Sequence, residues 1–238
     1  MSIVVPDIVV PDAVSTAETY EAYQALCAFC SWALYADPTE QTMRGMVKGR
    51  AMFREAPFTQ VADAPARRLA GIFEEAAGGP EAFEALMGQV RRDRTYLFLM
   101  AGASKVSPYE SVWRTDDATL FGPQTLEVRR VYERGGLVFS RHANEPDDHI
   151  GLEFSFAAHQ LRAAAAGDEA ALALLRDFLA DHLLVFGPAC LTRIAERAKS
   201  DYFRSVCGIA LGTLESLAVE LGATASATLP ATGGQARA

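Results

Sequence analysis

Glu145-Pro146-Asp147-Asp148-His149-Ile150-Gly151-Leu152-Glu153-Phe154 runs from a polar linker straight into an apolar helix. Pro146 suits a first helical turn, where its missing N–H removes no bond. Asp147 and Asp148 put negative charge at the positive end of the helix dipole. A helix start therefore accounts for the proline and both acids. It accounts less well for His149, which precedes Glu153 by one turn and can meet it on one helix face. Gly151 costs a helix about 1 kcal/mol against alanine, so its presence implies a close neighbour on that backbone.

From this junction the same punctuation extends in both directions. Downstream, Ile150, Phe154, Ala157, Leu161 and Ala164 form an apolar stripe at three- and four-residue steps, giving a helix to about Ala166. Gly167 ends it and Asp168 caps the next, over 168–186, with Leu172, Leu175, Leu179 and Leu183 inward. Gly187-Pro188 reads as a break, followed by helices over about 188–199 and 201–221. Upstream, Ser15 or Thr16 caps a helix running to Ala36, with Tyr20, Tyr23, Cys27, Cys30 and Leu34 as its buried stripe. Asp37-Pro38-Thr39-Glu40 stops that helix and starts a short one, Asp37 capping and Pro38 first. A helix is expected near 64–77 and another over 80–101, whose end, Tyr96 to Met100, is apolar all round and expected to be buried. Pro123 starts a further helix that Gly135-Gly136 ends. No convincing strand is present.

The predicted fold is all-α, a single globular helical domain of about eight to ten helices over residues 16–222. A flexible arm over 1–15 carries Ile-Val-Val-Pro-Asp twice, a disordered tail covers 223–238, and a hinge is expected at 137–145. Two segments interrupt the helices. Residues 102–122 are rich in Gly, Ser, Asp and Thr yet carry Tyr109, Trp113 and Phe121. Unstructured loops of about this length are uncommon and often functional. Tyr109 and Trp113 read equally well as cover for the core and as binding anchors, since both have an apolar body and a polar tip.

The 238 residues are 50% hydrophobic and carry a net charge of -8. That balance disfavours a nucleic-acid binder, which needs a basic face. The amino terminus, Met1 to Asp7, lacks Lys and Arg and reads as no export signal. The longest late apolar run, Ser205 to Leu214, is too short to span a bilayer. These traits predict a reduced, cytoplasmic protein. The four cysteines make no disulfide scaffold, and Cys27 and Cys30 read as core residues despite their C-x-x-C spacing.

Asp147, Asp148, His149, Glu153 and His159 are good metal-ligand types. Glu153 and His159, however, lie six residues apart, about 600° of helix rotation, and face different sides. No metal or cofactor is expected. His159 and His182 read as helix-face histidines making hydrogen bonds. Phosphate-cradling glycine loops and a nucleophile elbow are both absent from the sequence.

Ser107-Pro108-Tyr109-Glu110-Ser111-Val112-Trp113, then Leu120-Phe121-Gly122 before a helix, then Glu145-Pro146-Asp147-Asp148-His149, follow one another in an order that resembles the TorD/DmsD family. Leu34 to Pro38 and Phe178 to Leu183 add to the likeness, which covers most of residues 16–220. The resemblance implies an all-α chaperone with no catalytic role. It would bind the twin-arginine signal peptide of a molybdopterin-containing oxidoreductase and hold the enzyme back from export until its cofactor is inserted. Carried over residue by residue, the family signature falls on Pro146, Asp148 and His149, and its aromatic segment on Tyr109 and Trp113. Glu145 and Ser111 match less decisive positions, and Tyr109-Glu110 stands where some members have Trp-Gly. Guanidinium groups would meet Glu145, Asp147 and Asp148, and Tyr109, Trp113 and Phe121 would cover the apolar part. Glu153 completes the expected peptide site. The partners implied are the signal peptide and the apo-oxidoreductase. The chain is expected to be a monomer, with a dimer formed by exchange across 137–145 as its variant. Two other readings remain: a helical metal-dependent hydrolase using Asp148, His149 and Glu153, and a structural assembly subunit.

Overall fold

The computed structural model describes residues 15–100, 106–139 and 145–230. The N-terminal arm, His142, most of the expected hinge and the end of the tail lie outside these residues. Among the described residues the chain is helical, with a lone β-bridge between Tyr109 and His149. In order come α1 (Thr16–Tyr35), α2 (Glu40–Lys48), a 3-10 turn (Arg50–Arg54), α3 (Phe58–Ala76) and α4 (Pro80–Arg94) with a π-turn (Thr95–Leu99). Then follow α5 (Glu110–Arg114), α6 (Pro123–Arg134), α7 (Ile150–Ala165), α8 (Glu169–Phe178) with a π-turn (Leu179–Leu183), α9 (Leu184–Arg197) and α10 (Asp201–Leu221). The expected all-α domain is what the chain forms.

The core is organised by two helix pairings. α1 lies along α7, and α10 packs against α3 and α9. Gly151 explains the first. A Cβ there would sit 2.6 Å from Tyr35 Cβ and 3.2 Å from the Ser31 carbonyl, so only glycine lets α7 approach α1 this closely. Gly212 does the same for the second, where a Cβ would sit 2.1 Å from the Val61 carbonyl oxygen. Cys27, Cys30, Cys190 and Cys207 are all buried and unbridged, which for Cys27 and Cys30 is what the stripe on α1 predicts. Burial pushes all four thiols up, that of Cys30 to about 12.

Several expectations are corrected. α3 begins at Phe58, with a kink at Ala62, so the helix expected near 64–77 is its second half. Thr39, not Asp37, caps α2, which frees Asp37 for Arg94. The segment after α4 is only partly buried: Leu97 is enclosed, whereas Leu99 is 70% exposed. Gly187-Pro188 does not break the chain, and α9 runs through both. An interior proline costs about 3 kcal/mol, and the burial of Phe186, Cys190 and Leu191 around it outweighs that cost. The loop at 102–122 contains α5. The tail is docked at its start: Ala223 is buried, Leu229 packs on the core, and the Ser226 N–H donates to the Ala180 carbonyl at 2.9 Å.

Candidate functional site

Helix α7 starts four residues later than the proline and acids suggest. Its N-cap is His149, in extended conformation, whose Nδ1 accepts the Gly151 N–H at 3.0 Å. An Nδ1 that accepts leaves Nε2 as the ring's remaining polar atom. His149 is held extended because the backbone on either side of it pairs with a distant segment. The Ile150 N–H donates to the Pro108 carbonyl at 2.8 Å, and the Glu110 N–H donates to the Asp148 carbonyl at 2.9 Å. The Tyr109–His149 bridge therefore ties the aromatic segment to the acidic one.

The two adjacent aspartates do separate work. Asp148 is wholly buried and accepts the Ser111 N–H at 2.7 Å and the Thr125 hydroxyl at 2.8 Å. Since Ser111 lies in the first turn of α5, Asp148 caps α5 from across the fold rather than opening α7. Asp147 pairs with Arg129, and its carbonyl accepts the Tyr132 hydroxyl at 3.2 Å. Both carboxylates are thus committed to internal partners. Trp113 faces the core, with its indole N–H donated to the Ser107 carbonyl at 2.9 Å.

Above this scaffold lies a cleft of about 600 Å³, lined by Tyr35, Asp37, Arg94, Tyr109, Glu145 and His149, among others. The His149 ring stands edge-on between two tyrosines, 4.9 Å from the centroid of Tyr35 and 5.2 Å from that of Tyr109. The Tyr35 hydroxyl donates to Glu145 at 3.0 Å. Arg94 donates to the Tyr35 carbonyl at 2.9 Å and to Asp37 at 3.2 Å, closing the end of α1. The Asp37 side chain is nevertheless 90% exposed. Burial pushes the Tyr109 hydroxyl pKa up, and the charges of Glu145 and Asp148 add to it. Among the described residues, two carboxylates against one guanidinium make the lining of the cleft net acidic. One rim is apolar and exposed: Leu99 and Leu120 line it, and Phe121 beside them is 54% exposed at φ 61°. A left-handed backbone is unfavourable for an aromatic residue and marks a constrained position.

Beneath the cleft, buried Glu110 pairs with Arg114 at 2.6 Å and with His182 Nδ1 at 3.0 Å. Glu153 is fully buried on α7, and neither carboxylate oxygen has a hydrogen-bond partner. Burial, reinforced by Glu110 and Asp148, pushes its pKa well above the usual range, so the group is a neutral acid. The expected meeting of His149 and Glu153 on one helix face does not occur, because His149 sits before the helix and turns to the cleft. An Asp148–His149–Glu153 relay for hydrolysis therefore lacks its third member. Among the described residues no group of three or more His, Cys, Asp or Glu side chains is arranged to hold a metal ion.

Of the residues singled out in the sequence, Tyr109, Glu145 and His149 line the cleft, and Phe121 is exposed next in the chain to the lining residue Leu120. Pro146, Asp147, Asp148 and Ser111 form the buried support, Trp113 belongs to the core, and Glu153 lies in the interior. Tyr35, Asp37, Arg94, Leu99 and Leu120 are contributors that sequence reasoning missed. The signal for two of them was present, in the stop that ends α1.

The family model described as nitrate reductase delta subunit matches residues 60–192. The chain is 25% identical over 138 residues to the probable Tat proofreading chaperone DmsD of Haemophilus influenzae, covering 58% of this chain and 64% of the relative. It is 28% identical over 124 residues to the chaperone protein TorD of Vibrio cholerae, covering 50% and 56%. With the Tat proofreading chaperone DmsD of Salmonella typhi it shares 29% over 125 residues, covering 52% and 58%. The chain thus spans 56% to 64% of the length of these curated relatives.

Proposed function

This chain belongs to the nitrate reductase delta subunit family, alongside the TorD and DmsD chaperones, and on that premise we propose that it is a chaperone for the maturation of a redox enzyme. It binds the twin-arginine leader of a molybdopterin-containing oxidoreductase in the cytoplasm, before export, and transforms no substrate. The observation that carries this reading is the Tyr109–His149 bridge, which sets two ring edges beside the exposed carboxylates of Glu145 and Asp37. An arginine pair has the matching chemistry: planar cations that take charge-assisted hydrogen bonds and stack on rings. The leader's apolar stretch then lies over Leu99, Leu120 and Phe121, whose exposure is otherwise unexplained.

Asp148 and Asp147 hold the two loops together and do not touch the peptide. Ordering a flexible leader costs conformational entropy, so affinity is modest, which suits a chaperone that must release its client. The working form is a monomer, with helix exchange across 137–145 as a route to a dimer.

Titration calorimetry tests this with a synthetic peptide carrying an arginine pair followed by an apolar stretch. We expect one-to-one binding, weakened about tenfold by Glu145→Gln or Tyr109→Ala and by replacing both arginines with lysine. A peptide that fails to bind, or binds both variants as well as the parent protein, rules the reading out.

A further inference from the structure

A second groove, of about 310 Å³, runs between α1 and α7 and is lined by Trp32, Leu137, Ser155, His159 and Arg162, among others. It shares Tyr35 and Ala36 with the acidic cleft, so the two form one continuous track with Tyr35 as the ridge between them. Their chemistry is opposite. The cleft offers Asp37 and Glu145, whereas among the described residues no carboxylate lines the groove, where Arg162 supplies a charge and His159 stands among the lining residues. Trp32 is half-buried there, with its ring 6.3 Å from that of Phe29.

We infer that this groove is a client-selecting subsite, holding the leader residues that precede the arginine pair and favouring an acidic side chain there. The inference rests on the function proposed above. Once the arginine pair occupies the acidic cleft, the leader must leave it on both sides. The exposed apolar rim of Leu99, Leu120 and Phe121 takes the apolar stretch on one side. The segment on the other side of the pair crosses Tyr35 and enters the groove. The arginine pair and apolar stretch are shared by all such leaders and cannot distinguish one client from another. The preceding segment is free to vary, and here it meets Trp32, a residue type that often dominates recognition energy, and a cation that repels further positive charge. Discrimination thus arises partly by repulsion.

The test uses the full chain and three synthetic peptides. One begins at the arginine pair, one carries a preceding segment with aspartates, and one carries the same segment with lysines. We expect the aspartate peptide to bind about three- to tenfold more tightly than the lysine peptide, the range set by partly exposed charge pairs. Arg162→Glu reverses that order, and Trp32→Ala weakens both extended peptides about tenfold while leaving the short peptide unchanged. Arg162 is exposed, so its variant is expected to fold, and circular dichroism of both variants checks this. If the short peptide binds but the extended ones show no charge preference and no response to either variant, the inference is overturned and the cleft reading stands. If the short peptide does not bind, the cleft reading fails and the subsite with it.

Discussion

Replacing Asp148 separates a residue that builds the site from one that touches the ligand. Its carboxylate is wholly buried and accepts the Ser111 N–H at 2.7 Å and the Thr125 hydroxyl at 2.8 Å. Hydrogen bonds to a charged group contribute about 1.5–3 kcal/mol each, and Asp148→Ala leaves both donors buried without a partner. We expect a loss of about 3–5 kcal/mol, a large share of a domain's usual stability of about 5–15 kcal/mol. With a urea m-value of about 2–3 kcal/mol/M, the unfolding midpoint falls by about 1–2.5 M. Asp148→Asn behaves differently. Its amide oxygen can face the Ser111 N–H while its NH2 meets the Thr125 hydroxyl, which accepts as readily as it donates. That variant should lose about 1–2 kcal/mol and keep the parent affinity for the leader within about twofold. Urea unfolding followed by circular dichroism gives the first number and titration calorimetry the second. Parent-like stability together with lost peptide binding in Asp148→Asn would refute the assignment, because the carboxylate would then have to reach the peptide itself.

The remaining expectations concern the interior. Glu153 is held protonated in the fold but ionises near 4.5 when unfolded, so the folded state binds the extra proton and stability falls as pH rises above about 4.5. Glu153→Gln removes that dependence. Its stability advantage over the parent should grow by up to about 1.4 kcal/mol per pH unit until the folded pKa is reached, and urea melts from pH 5 to pH 9 that keep a constant difference would contradict it. Gly151→Ala forces a methyl group to within 2.6 Å of Tyr35 Cβ. Overpacking of about 1–3 kcal/mol, offset by about 1 kcal/mol of helix propensity, should lower the melting temperature and weaken leader binding through Tyr35. All four cysteines are buried with raised pKa values. None should react with a thiol reagent in the native protein and all four should in urea; rapid native labelling would show the core to be open.

The helices were legible because local rules specify them. Ser15, one of the two caps expected, closes a capping box with Glu18, the α7 stripe is buried, and on α1 Cys27, Cys30 and Leu34 are buried while Tyr20 and Tyr23 are half-buried. The close neighbour implied by Gly151 is Tyr35. What local rules cannot supply is long-range pairing. Pro146, Asp147 and Asp148 carry every mark of a helix start, yet the Asp148 carbonyl and the Ile150 N–H bond to Glu110 and Pro108, some forty positions away. The same holds for Gly187-Pro188, where the surrounding core overrides a strong local stop. In the site, Tyr109, Glu145 and His149 were found from their own segments. Asp37 and Arg94 were missed because a pair 57 positions apart leaves no periodic trace in a single sequence.

The division of acids between interior and surface shows why the site takes this form. Tyr109 and His149 belong to segments with no regular structure of their own, so their geometry has to be imposed. Asp148 imposes it from one side by capping α5, and Glu110 from the other through Arg114 and His182. Those buried charges are fully occupied, and a ligand competing for them would have to dismantle the bridge. The solvent-exposed carboxylates are the peripheral ones, Glu145, bonded to Tyr35, and Asp37, paired with Arg94, where water screens each contact to a modest strength. On the proposed function, a rigid frame carrying weak, exposed charges beside an apolar rim would bind through several small contributions at once. A leader that satisfied only one of them would be released, so recognition would depend on the arginine pair and the apolar stretch arriving together.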